Sequence, residues 1–153
     1  MSTAYTFPHD KIVNRILIPC FIDKPKTGEP RSHSVMALWD TGATTTCISE
    51  DLVRHLGLAP DDMMDLKMAD SSIHTSNVYS VQITMGKFTI PFIRVCDLPM
   101  INTGHDVIIG MDVMNRGDLS ITNFQGKTIL TFREPSLAKI DYVEELEHYK
   151  KCI

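Results

Sequence analysis

The sequence predicts a mainly β domain, on three observations. Short apolar or β-branched runs, such as Ser34–Trp39, Thr44–Ile48 and Phe88–Val95, recur along the chain. Gly, Pro, Asn and Asp clusters punctuate them, at Asp23–Pro30, Gly86-Lys87 and Asn123–Lys127. Helical patterning is confined to short internal stretches and the tail. The 153 residues suit one domain with a sizeable core, and 43% hydrophobic with 22% charged residues is ordinary for a globular chain.

Taken in order, residues 1–10 read as a loose arm. Ile12–Ile22 is a strand bent by Pro19, and Ser34–Trp39 is a short strand covered on both faces. Thr44–Ile48 is a further strand. Ser49 then has the chemistry of an N-cap, with Glu50 and Asp51 in the first turn, Leu52, Val53 and Leu56 on one face, and Gly57 as the stop. A hairpin centred on Asp70-Ser71-Ser72 has arms near Leu66–Ala69 and Ile73–Val78, with Val81–Met85 extending the second arm or starting a new strand. Pro91 inside Phe88–Val95 favours an edge or a bulge there. Asp97–Gly104 reads as a loop, Asp106–Ile109 as a buried strand, and Met111–Asn115 as a short helix opened by Gly110. Leu119–Thr122 and Thr128–Phe132 form a last hairpin. Ser136–Lys151 reads as a helix, with Leu137, Ile140, Val143 and Leu146 at three-residue spacing, and covering a sheet edge is its expected role.

Several classes of function are disfavoured. The net charge is -4 and no basic stripe occurs, which argues against nucleic-acid binding. The N-terminus has no basic start and no apolar stretch of the kind that directs secretion. Ile16–Ile22 is too short to cross a membrane and contains Pro19, so the expected compartment is the cytoplasm. Cys20, Cys47, Cys96 and Cys152 are widely spaced without a C-x-x-C pair, so four free and mostly buried thiols are expected. Asp61-Asp62-Met63-Met64-Asp65 lacks the glycine and terminal glutamate of a calcium loop and reads as a solvated acidic loop. The histidines show no zinc-protease spacing, and no serine or cysteine sits in an elbow motif. No metal or organic cofactor is expected.

The stretch Asp40-Thr41-Gly42-Ala43 follows the apolar run Val35–Trp39. It puts a carboxylate at the end of a buried strand, a hydroxyl beside it, and a glycine where the backbone turns. Alone, this reads more readily as an ordinary β-turn. A second apolar strand ends in glycine at Val107-Ile108-Ile109-Gly110 and runs into Met111-Asp112-Val113-Met114.

Together the two pieces resemble the retropepsin-like aspartic proteases, single-domain relatives of pepsin. The resemblance covers roughly residues 12–133, leaving an N-terminal arm (1–11) and a C-terminal helical extension (134–153). It implies a closed acid-protease barrel with a short internal helix and a C-terminal helix. It also implies that Asp40 is catalytic, that Thr41, Gly42, Ala43, Ile109 and Gly110 support the site, and that Met68, Ala69, Asp70, Ser71, Ser72 and Ile73 form a flap over a bound peptide. Trp39 stands where the family usually has a smaller aliphatic residue, and the flap has no glycine.

The implied chemistry requires two carboxylates. Hydrolysis by water needs a base for the water and an acid for the departing group. Two facing carboxylates supply both, because like charges a few ångströms apart cannot both ionise. With one Asp-Thr-Gly per chain, the second carboxylate has to come from a second copy, and a two-fold homodimer supplies it. The resemblance thus implies an aspartic endopeptidase acting on protein or peptide substrates. The alternative is a catalytically weak or inactive module of the same fold that dimerises or binds peptides.

Overall fold

The structure is a computed structural model that describes residues 2–25, 33–100 and 102–151. Strand β2 (Leu17–Asp23) pairs antiparallel with β3 (His33–Trp39), in register from Leu17↔Leu38 to Ile22↔His33. Ile18, Cys20 and Ile22 point into the core, as the two-residue period of a strand dictates. From β3 the sheet passes to β8 (Val107–Ile109), then β4 (Cys47–Ser49), β7 (Phe88–Leu98) and β6 (Ile73–Met85). Pairing of β6 with β2, from Phe21↔Thr84 to Asp23↔Gln82, closes these six strands into a barrel. The mainly β, closed-barrel expectation is met. Strand β5 (Asp62–Lys67) lies outside the ring and pairs only with β6.

Three local expectations have clear physical outcomes. Ser49 caps helix α1 (Glu50–Leu56) by accepting the Leu52 N–H at 3.1 Å, and Gly57 ends it with φ 57°, in the left-handed region. Pro91 sits within β7, and the register slips opposite it, from Val81↔Ile93 to Ile83↔Ile90. The bulge lets a residue without an N–H sit inside a central strand. Trp39 is buried, with its ring 5.5 Å from that of Phe132 on β10 (Ile129–Glu134). Its bulk fills the space between the barrel and a second, three-stranded sheet, although its indole N–H has no hydrogen-bond partner among the described residues.

That second sheet corrects the reading of residues 1–10 as a loose arm. Thr3–Pro8 is strand β1, paired antiparallel with β10 from Thr3↔Glu134 to Pro8↔Ile129, while β9 (Asp118–Thr122) flanks β10 on the other side. Tyr5 and Phe7 pack on the core from alternate positions, too short an alternation to stand out in the sequence. Ile12–Ile16 is not strand. There Val13 donates its N–H to Thr128 Oγ1 and Lys11 accepts the Thr128 N–H, which ties a turn to β10. The acidic stretch at 62–65 belongs to strand β5, not to a loop, because its backbone pairs with β6 from Asp62↔Val78 onwards. Thr44–Thr46 likewise lies outside β4, and β7 runs on to Leu98.

The tail is also shorter in helix than its spacing suggests. Helix α3 spans Tyr142–Lys151, not Ser136–Lys151. The N–H groups of Leu137 and Ala138 and the hydroxyl of Ser136 bond to the Asp118 carboxylate, so they do not open a helix. Asp141 accepts the N–H groups of Val143 and Glu144 and caps the helix there instead. All of α3 is free of buried residues, with Val143, Leu146 and Tyr149 exposed, so it does not cover a sheet edge. No helix among the described residues is long and apolar enough to cross a membrane.

Asp118 carries a pH consequence. The Leu137 N–H, then the Ser136 hydroxyl and the Arg133 guanidinium, hold its carboxyl well below the usual carboxylate range. A carboxyl depressed on folding stabilises the native state above its unfolded pKa, and that contribution disappears as pH falls through the folded value. Asp118→Asn is therefore expected to be less stable than wild type near neutral pH, with the gap closing below about pH 4. Urea midpoints across a pH series measure this. A gap that widens in acid would contradict the assignment.

Candidate active site

Asp40 lies just past the end of β3, and its N–H donates to Ile109 O of the neighbouring parallel strand at 3.0 Å. The chain then turns. Gly42 donates its N–H to Asp40 Oδ1 at 2.8 Å, and Ala43 donates to Asp40 O at 3.1 Å. The first bond fixes the carboxylate with one oxygen committed to the loop. Asp40 is half-buried, while Thr41 and Gly42 are exposed.

The loop is braced from below by α2 (Met111–Met114). Met111 N–H donates to Ala43 O at 2.8 Å. The Asp112 carboxylate accepts from the Thr46 N–H at 2.9 Å and from the Thr46 hydroxyl at 2.6 Å. The same hydroxyl oxygen accepts the Gly110 N–H at 3.1 Å. Thr46 is fully buried, so every polar group there needs a partner, and this network supplies them. Gly110 is required by proximity. A Cβ there would stand 2.7 Å from the carbonyl carbon of Thr45 and 3.0 Å from Ala43 O. Ile109 and Gly110 thus lie beneath the Asp40 loop.

The β5–β6 hairpin rises beside this loop. Its turn closes with the Met68 N–H on Ser72 O and the Ser71 N–H on Met68 O, each 2.9 Å. Ser71 takes φ 68° without being glycine. Asp70 makes that tenable by accepting the Ser72 N–H at 2.9 Å and the Ser72 hydroxyl at 2.5 Å, an Asx-type turn. The hairpin is where the sequence put it, with a tip held by a side chain instead of a glycine.

Between loop and hairpin lies a cleft of about 240 Å³. Asp40, Gly42 and Ala43 line it from one side, Met68 and Ala69 from the other. Thr44, Thr45, Cys47, Leu66, Lys67 and Leu98 complete it, and none of these was expected from the sequence. Asp70, Ser72 and Ile73 face a neighbouring open cavity of about 490 Å³. Thr46 and Asp112 were also missed. Asp112 stands two residues after Gly110, but nothing in the sequence couples it to Thr46.

The other reactive groups nearby are quiet. Burial, followed by the charges of Cys96, Asp112 and Asp97, pushes the Cys47 thiol up to about 12, which keeps it protonated and a poor nucleophile. Cys20, Cys47 and Cys96 are free and buried, as expected, while Cys152 lies outside the described residues. No three His, Cys, Asp or Glu side chains among the described residues are grouped to hold a metal ion.

The carboxylate loop, the glycine-ended strand beneath it and the hairpin beside it are the parts that the resemblance requires in one place. A family model described as "gag-polyprotein putative aspartyl protease" matches residues 28–116, more than half of the chain. The chain belongs to this retropepsin-like family. Among solved structures, it is similar to a retropepsin-like aspartic protease from Rickettsia conorii, at 13% identity and TM-score 0.56, over 88% of this chain and 96% of that one. At that identity the likeness speaks for the retropepsin-like fold alone. The retroviral protease-like domain of Ddi1 from Leishmania major matches at 17% identity and TM-score 0.49, over 85% of this chain and 99% of that one. A comparison with curated proteins finds no match.

Proposed function

We propose that this chain is an aspartic endopeptidase that works as a homodimer. The observation that carries the reading is a half-buried carboxylate lining a cleft, fixed by the Gly42 N–H at 2.8 Å and flanked by a hairpin. One Asp40 supplies one titratable group. Facing Asp40 of the second copy across a two-fold axis, it would share a proton and hold a water. The ionised carboxylate takes the water's proton as the oxygen attacks the scissile carbonyl. The protonated one polarises that carbonyl, and the dyad then protonates the departing amine. No covalent intermediate forms.

The support around Asp40 suits this chemistry. Gly42 and Gly110 allow close backbone approach, and the Thr46–Asp112 brace keeps the loop from moving as charge shifts. In this reading Thr41 links the two loops across the axis, and an extended peptide lies under Met68–Ile73 as an added strand. The hairpin's closure limits bulk water.

The test combines sedimentation with cleavage of a peptide library over a range of pH and protein concentration. Specific activity is expected to rise with the dimer fraction and to follow a bell on the acid side of neutrality. Specific peptide binding by the dimer with no turnover at any pH would favour the non-catalytic module, a reading for which the side-chain-locked hairpin tip speaks.

A further inference from the structure

The buried carboxylate of Asp97 has no part in the mechanism above. It is 8% exposed and sits near the end of β7, opposite Ile48 of β4. Among the described residues no cation pairs with it. Its partners all come from one short piece of β6. Asn77 N–H donates to Oδ1 at 2.9 Å, Asn77 Nδ2 to Oδ2 at 3.1 Å, and the Tyr79 hydroxyl to Oδ2 at 3.0 Å. The Ser76 hydroxyl, itself buried, donates to the Asp97 backbone carbonyl at 2.8 Å.

The location gives these bonds meaning. The β6–β7 register begins at Val78↔Cys96 and runs into the barrel. From Val78 towards Ile73, the backbone of β6 pairs with β5 alone, as the hairpin, whose Leu66 packs against Cys47, Val78 and Cys96. Asn77 is thus the first residue beyond the ladder, and its N–H finds a side-chain carboxylate where the ladder's next partner would have been. The residue after Asp97 is Leu98, which lines the cleft, and the residue before it is Cys96, in register with the cleft-lining Cys47.

We infer that Asp97 is a positioning residue, a clamp at the root of the hairpin that sets the hairpin's height and angle over the Asp40 cleft. A carboxylate suits this role. It gathers three donors from two residues, on both of its oxygens. Side-chain bonds here take the place of a continued backbone ladder between β6 and β7. The functional part of this inference rests on the peptidase reading; the clamp itself does not.

The test measures hydrogen–deuterium exchange on the full chain, wild type against Asp97→Asn and Tyr79→Phe. Asp97→Asn keeps an oxygen for the Asn77 N–H but turns its second acceptor into a donor facing two donors. Exchange is expected to rise about tenfold or more at residues 62–77, with α1 and β8 unchanged. Tyr79→Phe removes one donor and is expected to give a smaller rise in the same residues. With a cleavable peptide, Asp97→Asn is expected to raise KM severalfold while kcat stays within about twofold. Exchange that rises evenly over the whole chain would overturn the clamp, and a fall in kcat at unchanged KM would overturn its action on the cleft. A clamp-like exchange pattern in a wild type that cleaves nothing would instead retire the peptidase reading and leave the clamp in place.

Discussion

Asp40→Asn is expected to lower peptide hydrolysis by about 10³-fold or more, the scale of a lost acid–base function, without unfolding the chain. The structural half follows from geometry. Among the described residues, the side chain bonds to the loop through the Gly42 N–H to Oδ1 at 2.8 Å, and an asparagine carbonyl oxygen accepts it equally well. The bonds of Asp40's backbone, from its N–H to Ile109 O and from Ala43 N–H to its carbonyl, are indifferent to the change. The chemical half follows from protons. An amide neither takes a proton from water near neutral pH nor gives one to a leaving amine. In a homodimer the substitution removes both members of the pair at once. Initial rates with matched thermal melts measure the two halves separately. Turnover retained at even a tenth of wild type would rule out an Asp40 mechanism.

Gly110→Ala has the largest expected effect on the scaffold of the site. The new methyl would sit 2.7 Å from Thr45 C, 2.9 Å from Thr45 O and 3.0 Å from Ala43 O. All three are backbone atoms of the loop that carries Asp40, so no side chain can swing aside. Overpacking of this kind costs about 1–3 kcal/mol, or about 2–4 °C of Tm for each kcal/mol in a chain of this size. The strain is directed into the catalytic loop and threatens the bonds of Gly110 N–H to Thr46 and of Met111 N–H to Ala43. Activity is accordingly expected to fall further than the loss of folded protein explains. Calorimetry and kcat measured well below Tm check this. Full kcat with an unchanged Tm would mean that the loop and α2 are not packed as described.

Much of this fold was legible because local chemistry wrote it. Ser49, Leu52, Val53, Leu56 and Gly57 are a complete short-helix signature, and the structure places each in its expected role. Asp40–Ala43 and Val107–Gly110 marked where two strands end together. What stayed hidden depends on distant partners. Thr3–Pro8 has a strand's alternation only over Tyr5 and Phe7, and β10 supplies the rest. The start of α3 was misplaced because Asp118, far back in the chain, takes the N–H groups that a helix from Ser136 would have used. Thr46, Asp112 and Asp97 carry no local motif. Their importance comes from burial, which turns ordinary polar side chains into obligate partners.

The pairing of β1 with β10 has a consequence for how the molecule is made. Thr3–Pro8 is synthesised before the other strands described above and has as its mate the last of them, Thr3 against Glu134. At about 5–20 residues per second, Thr3–Pro8 waits many seconds, solvated and single, until residues 129–134 have been made. Contacts of such long sequence separation also slow the search for the native state. The small sheet is therefore a late-closing seam, and a nascent chain arrested before residue 129 can assemble barrel strands while Thr3–Pro8 still lacks its mate.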